Sequence, residues 1–117
     1  MYWYELMQLI RQFELMAEEK YKMEGKIRGF FHAYVGQEAI AAGCMTATRP
    51  EDLFITAYRD HGLAIAKGVS VDSCMAELYG KATGCSSLSG QDDPQRTQRD
   101  DDGRFCDGYR RFVWCVC

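Results

Sequence analysis

The residues best suited to binding an anion lie together in the sequence Tyr58-Arg59-Asp60-His61-Gly62. An arginine presents a fixed fork of hydrogen-bond donors to a phosphate, and a neighbouring tyrosine hydroxyl adds one more donor. These residues directly follow a predicted strand, at the position where open α/β sheets contact their ligands. The pattern therefore predicts that Arg59 binds a phosphate. A surface ion pair between Arg59 and Asp60 is an alternative that the spacing leaves open.

The sequence contains two histidines, His32 and His61, and both are predicted to lie in loops beside apolar segments. Neither has the spacing of a metal site. From spacing alone, a structural role is therefore favoured over a catalytic one for each histidine.

Two other patterns suggest a phosphate-binding loop and a zinc site, but neither has the residues that such a site requires. The sequence Gly80-Lys-Ala-Thr-Gly84 is superficially similar to a phosphate-binding loop, but it lacks the first glycine, and Ala82 follows the lysine where Ser or Thr is needed. The six cysteines form no Cys-x-x-Cys pair and have no histidine at zinc-ligand spacing. The lysine is therefore not expected to bind a nucleotide, and the cysteines are expected to be reduced thiols.

The composition is that of a globular domain with one modest core, since 47% of the 117 residues are apolar and 26% are charged. A net charge of -3 argues against nucleic acid as a partner. No apolar run approaches the roughly eighteen residues of a membrane span. The start of the chain lacks the basic end and apolar block of a signal peptide. A cytoplasmic protein without membrane contact is therefore expected.

An amphipathic helix is predicted over residues 2–24, before a loop over residues 25–34. Its apolar side chains recur at steps of three and four residues, the period of one helical face. They are Leu6, Leu9, Ile10, Phe13, Met16 and Ala17. Gly25 supplies the stop signal.

The elements that follow are predicted to build part of an α/β domain. Residues 35–48 are rich in small side chains, which predicts a buried helix, and residues 53–57 have the length and content of a buried strand. A short helix over residues 63–67 comes next, and Ser70 or Asp72 can cap another. Because one strand makes no sheet, its partners are expected in another chain or in sequence absent from this one.

The composition changes sharply after Cys85. Residues 1–85 contain five Lys and eight Glu, whereas the remainder contains neither and carries six Asp and five Arg. A polar stretch without a periodic apolar face cannot offset its ordering entropy, so disorder is predicted over residues 86–104. The chain is therefore divided into a domain at residues 1–86 and an unrelated, disordered tail at residues 87–117.

Three segments of the ordered part resemble one enzyme family. They read Gly29-Phe-Phe-His-Ala-Tyr-Val-Gly-Gln-Glu-Ala39, Ile55-Thr-Ala-Tyr-Arg-Asp-His-Gly62 and Ala76-Glu-Leu-Tyr-Gly-Lys-Ala-Thr-Gly-Cys85. In order and spacing they are similar to the alpha subunits of thiamine-diphosphate-dependent 2-oxo acid dehydrogenases, nearest to pyruvate dehydrogenase. The resemblance extends over about residues 2–86.

The resemblance implies an α/β fold class, here the amino-terminal and mainly helical part of a thiamine-diphosphate-binding fold with one short strand. The intact family member decarboxylates pyruvate oxidatively and transfers the acetyl group to a lipoyl acyltransferase. It works as a heterotetramer with a beta subunit, and its cofactor is the electron sink of the reaction. By resemblance, Tyr58 and Arg59 contact the diphosphate of thiamine diphosphate and His32 reaches the pocket of the 2-oxo acid. His61 is interpreted as loop structure.

The chain departs from the family pattern after Cys85. The family continues with a loop that ends Gly-Gly-Ser-Met-His and with a Gly-Asp-Gly segment whose downstream Asn helps to hold magnesium, whereas this chain has no Asn. We interpret it as an amino-terminal fragment followed by unrelated residues and inactive alone. An acetoin or branched-chain 2-oxo acid dehydrogenase subunit, or a non-catalytic helical interaction module, remains an alternative.

Overall fold

The first helix, α1, spans Tyr2–Glu24, the bounds that its apolar period predicts. The computed structural model describes residues 2–27 and 29–85 and the backbone of three later strands. The elements after α1 are α2 (Glu38–Ala47), β1 (Phe54–Ala57), α3 (His61–Ala66), α4 (Val71–Leu78), β2 (Gln98–Arg99), β3 (Phe105–Cys106) and β4 (Phe112–Cys115). The predicted order of two helices, a strand and two helices is confirmed.

The buried stripe of α1 differs from the predicted one at its edges. Ile10 and Ala17 are fully buried, whereas Leu9 and Met16 are about half exposed, at 47% and 52%. Helix α1 packs against α2 and α3 on one side only. This packing buries a stripe of α1 that is one or two side chains wide. No helix in the described parts of the chain has the length and apolar character needed to cross a membrane.

The second helix forms as predicted but is buried on one face only. Glu38, Ala41 and Ala42 are buried, whereas Ile40 is 58% exposed. The small residues allow α1 and α3 to approach this face. The expectation of a buried helix is therefore wrong for its outer face, which no described element covers.

Strand β1 forms at the predicted place, but it is not buried. Ile55 is 83% exposed, because β1 has one described neighbour instead of a full sheet. That neighbour is β4, which pairs with it in parallel from Phe54 opposite Phe112 to Ala57 opposite Cys115. One partner strand of β1 therefore comes from this chain, which corrects the expectation for that strand, whereas the origin of the further strands of a full sheet stays a prediction.

The two remaining strands, β2 and β3, pair antiparallel in a separate sheet. Strand β2 lies within the stretch 86–104 for which disorder is predicted. The rest of that stretch, and most of the tail predicted at residues 87–117, lies outside the described residues. The division of the chain at residue 86 therefore stays a prediction.

The core lies where the four helices meet. Its buried apolar side chains are Leu6, Ile10, Phe13, Tyr34, Ala41, Ala42, Ala64, Ile65, Val69 and Cys74. Ser70 caps α4, since its hydroxyl accepts a hydrogen bond from the Ser73 amide at 3.1 Å. Of the two predicted caps, Ser70 is thus the one used, and it anchors α4 against this core.

Candidate functional site

The turn after β1 holds Tyr58 in an unusual backbone conformation. Its φ is +57°, and no other non-glycine residue in the described ranges has a positive φ. The left-handed region costs an L-residue about 1–2 kcal/mol, so the surrounding structure must impose it. The Tyr58 side chain is 58% exposed. A strained, exposed tyrosine at the end of a strand is typical of a ligand-binding turn.

His32 lies against this turn. Its ring meets the Tyr58 ring edge-on, with centroids 5.4 Å apart and planes at 79°. Both side chains are exposed, so a ligand can reach them. The fold thus brings together two of the residues that the sequence singled out, although 26 positions separate them.

Arg59, the third of these residues, is exposed and makes no hydrogen bond or ion pair with any described residue. The alternative ion pair between Arg59 and Asp60 is not formed, because Asp60 is only 6% exposed and faces the interior. The guanidinium is therefore available to an anion beside Tyr58.

Asp60 is a buried acid at the start of α3. Burial raises the pKa of its carboxyl to about 6, an effect that His61 opposes and Glu14 reinforces. A raised pKa means that the folded protein favours the protonated form. Asp60 consequently contributes stability at low pH that is lost as the pH rises through about 6.

This burial predicts a measurable pH dependence. The pKa of Asp60 lies near 6 in the folded protein and near 3.8 in the unfolded chain. The free energy of unfolding should therefore fall by about 1 kcal/mol from about pH 5 to pH 7. Asp60→Asn should remove this part of the slope in denaturant titrations, and replacing the exposed Asp72 by Asn should not. Equal slopes in the wild type and Asp60→Asn would contradict the assignment.

His61 is more than the loop residue that the sequence suggested. It begins α3 and is buried, with Nδ1 3.1 Å from Oε1 of the fully buried Glu14 on α1. The Phe31 ring stacks on the imidazole, with centroids 5.6 Å apart and planes at 16°. The sequence holds one signal for this pair: Ile10, Glu14 and Ala17 follow the helical period, which places an ionisable residue on the apolar face of α1.

Gly62 allows the start of α3 to approach Tyr34 closely. A Cβ atom at this position would lie 2.3 Å from Cδ1 of the buried Tyr34 ring. Any larger side chain would displace the ring or the helix. The Asp60-His61-Gly62 sequence therefore serves the packing that supports the Tyr58 turn.

A second buried acid fixes the segment that leads from His32 to α2. Glu38 accepts hydrogen bonds from Nε and Nη2 of Arg11 at 2.5 and 3.0 Å, and both its oxygens lie 3.1 Å from the Gly36 amide. The Arg11 hydrogen bond is the main cause that lowers the pKa of Glu38 to about 2. This bidentate pair joins α1 to the turn before α2, and sequence spacing did not predict it.

The remaining candidates from the sequence are Lys81 and the cysteines. Lys81 lies in the turn that ends α4, where its amide donates to the Ala76 carbonyl at 2.9 Å, and it builds no phosphate loop. Cys44, Cys74 and Cys85 carry free thiols. In the described parts of the chain, no three His, Cys, Asp or Glu side chains converge as a metal site.

Comparison with known proteins identifies similar sequences. The chain is 43% identical over 88 residues to the mitochondrial pyruvate dehydrogenase E1 component subunit alpha of Sminthopsis macroura, a match that covers 75% of this chain and 24% of the relative. It is 49% identical over 82 residues to the chloroplastic subunit alpha-3 of Oryza sativa, covering 70% and 19%. The mitochondrial subunit of Schizosaccharomyces pombe is 46% identical over 87 residues, covering 74% and 21%. The chain thus spans a quarter or less of the length of these relatives.

These relatives overturn one expectation. The chain was predicted to be cytoplasmic, but the similar proteins are named as mitochondrial or chloroplastic. The prediction is wrong because the residues of a folded domain do not encode its compartment, which targeting segments specify.

A family model supports the same relationship. The model described as "Dehydrogenase E1 component" matches residues 5–108, which is most of the chain and includes every candidate site residue. The match continues beyond residue 86, the predicted end of the domain. By this match and the identity to its relatives, the chain belongs to the dehydrogenase E1 component family.

Proposed function

We propose that this chain is the amino-terminal part of a pyruvate dehydrogenase alpha subunit, and that its Tyr58 turn binds the diphosphate of thiamine diphosphate. The observation that carries the proposal is the edge contact of His32 with Tyr58, next to Arg59, which has no partner among the described residues. The relatives, which are pyruvate dehydrogenase alpha subunits by name, support it.

The described residues fit the diphosphate end of this cofactor. A diphosphate is bound most strongly by a cation together with further hydrogen-bond donors. Arg59 offers a guanidinium that no described residue pairs with, and Tyr58 offers a hydroxyl from a turn whose backbone is left-handed at φ +57°. When bound, thiamine diphosphate supplies the electron sink for decarboxylation of a 2-oxo acid.

His32 would face the reacting acid in this arrangement. Its edge contact with Tyr58 orients the imidazole beside the diphosphate-binding turn, and its exposure leaves the ring nitrogens open to a ligand. An imidazole there can donate a hydrogen bond to the oxo acid or hold a proton near it. We assign His32 to pyruvate and the other two residues to the cofactor.

The described residues do not fit a magnesium site. They bring no acidic or metal-ligating cluster together, and the whole chain lacks Asn. Any magnesium bound with the cofactor would need ligands from elsewhere in the enzyme.

The proposed partners are a beta subunit, in a heterotetramer, and a lipoyl acyltransferase that receives the acetyl group. Large apolar side chains on the outer faces support an assembly in which further protein covers them, since such groups are costly to leave in water. They include Trp3, Leu9, Ile40 and Ile55.

The proposal is tested by a graft. Residues 2–85 of this chain replace the matching segment of a full-length relative's alpha subunit, which is assembled with its beta subunit and lipoyl acyltransferase. We expect pyruvate-dependent acetyl transfer within about tenfold of the relative's rate, a difference of about 1.4 kcal/mol in the barrier. The 117-residue chain alone, with thiamine diphosphate and magnesium, should release no carbon dioxide above a protein-free control.

Three outcomes would contradict this function. Turnover by the chain alone that survives re-purification would show that the rest of the enzyme is not needed. A graft that assembles but binds no cofactor would indicate an interaction module. Turnover of acetoin or branched-chain oxo acids in preference to pyruvate would reassign the substrate.

A further inference from the structure

A buried contact links α1 to both segments of the candidate site. Glu14 is fully buried on α1, and its Oε1 lies 3.1 Å from Nδ1 of His61, 47 residues away in sequence. Resting on the proposed function, we propose that Glu14 is a positioning residue, which acts through His61 to hold His32 and the Tyr58 turn in their binding arrangement.

The first step of the argument is geometric. His61 follows Tyr58 by three residues, so the orientation of its ring is tied to the turn. The ring also stacks on Phe31 at 5.6 Å, and Phe31 directly precedes His32. The His61 imidazole therefore contacts the segment that carries His32 and lies in the segment that carries Tyr58. Glu14 contacts the same imidazole.

The second step concerns the cost of burying Glu14. Its second oxygen, Oε2, is buried and has no hydrogen-bond partner among the described residues. An unsatisfied buried acceptor destabilises the folded state, and an apolar side chain of similar size would avoid that cost. Packing alone is therefore a poor account of an acid at this position, whereas an oxygen 3.1 Å from Nδ1 can orient the His61 ring.

The test compares three variants of α1. Glu14→Leu removes the acceptor, and Glu14→Gln keeps an oxygen for Nδ1–H of His61. Ile10→Val is the matched control, because Ile10 is also fully buried, one turn away on the same helix. It should lower the melting temperature without disturbing the site.

The first measurement needs no cofactor. In the 117-residue chain, the Tyr58 ring should shift the NMR signals of the His32 imidazole protons. Glu14→Leu should move these signals to those of an exposed histidine, whereas Glu14→Gln and Ile10→Val should keep them. Because this measurement is independent of the ligand, its result stands even if the proposed function fails.

The second measurement uses the assembled enzyme that carries residues 2–85. Glu14→Leu should raise the Kd for thiamine diphosphate about tenfold, and Glu14→Gln should restore it to within about twofold. A graft that binds no cofactor while the NMR effect is present would refute the function and leave the positioning role intact.

The positioning role is wrong if Glu14→Leu keeps the His32 shift, if Glu14→Gln fails to restore it, or if Ile10→Val causes the same loss. Should Glu14→Leu fail to fold, Phe31→Leu tests the same link, since it removes the stacking on His61 and leaves Glu14 in place. An unchanged His32 shift in Phe31→Leu would overturn the proposal.

Discussion

Replacing Arg59 with Ala is expected to weaken thiamine diphosphate binding roughly ten- to a hundred-fold, because a charge-assisted contact to the diphosphate is lost. The guanidinium is exposed and has no partner among the described residues, so its removal should not disturb folding. The measurement is the Kd for the cofactor in the assembled enzyme that carries residues 2–85, by calorimetric titration. Turnover at saturating cofactor should change much less than the Kd.

The matched control for this prediction is Arg49→Ala. Arg49 is also exposed, but it lies in the turn before β1, away from Tyr58. Its replacement should leave the Kd unchanged, since net charge alone has only a screened effect at physiological salt. Normal cofactor binding by Arg59→Ala, or equal weakening by both variants, would show that Arg59 has no specific diphosphate contact.

Replacing His32 with Ala should lower the turnover number about a hundredfold or more, since a side chain that donates to or holds a proton near the reacting group contributes about 10²–10⁴ in rate. Cofactor affinity should change by no more than about threefold, because the diphosphate contacts remain. Steady-state rates at saturating thiamine diphosphate, together with the Kd, separate the two effects.

Phe30→Ala serves as the control for His32. Phe30 precedes His32 by two residues and is 94% exposed, so its loss changes the same loop without removing an imidazole. It should retain turnover. If His32→Ala instead loses the cofactor and keeps its turnover at saturation, the assignment of His32 to the 2-oxo acid is wrong even though the family is right.

The sequence by itself determined the local elements. The bounds of α1 follow from apolar residues at the helical period and a glycine stop, and a cap at Ser70 or Asp72 predicted the start of α4. Both signals act between residues at most four positions apart, so they are legible without the fold. The choice of Tyr58, Arg59 and His32 also came from sequence, through motifs similar to those of one family.

Burial and partner strands were decided only by the tertiary structure. The sequence pattern predicted buried residues along β1 and all of α2, yet Ile55 and Ile40 are exposed. Periodicity reports which side chains share a face, but it cannot report whether another element covers that face. The parallel pairing joins β1 to β4, more than fifty residues away. Local sequence patterns cannot identify such a distant partner strand.

The side-chain contacts that support the site also depended on the fold. Arg11 meets Glu38 across 27 residues, and Glu14 meets His61 across 47. The helical period of α1 includes Glu14 on its buried face but cannot identify its partner, because α1, α2 and α3 acquire their relative positions only when they pack. Asp60 next to Arg59 suggested a surface pair, whereas packing buries the acid and leaves the guanidinium exposed. Desolvation and long-range contact are properties of the packed chain, so residue order alone does not specify them.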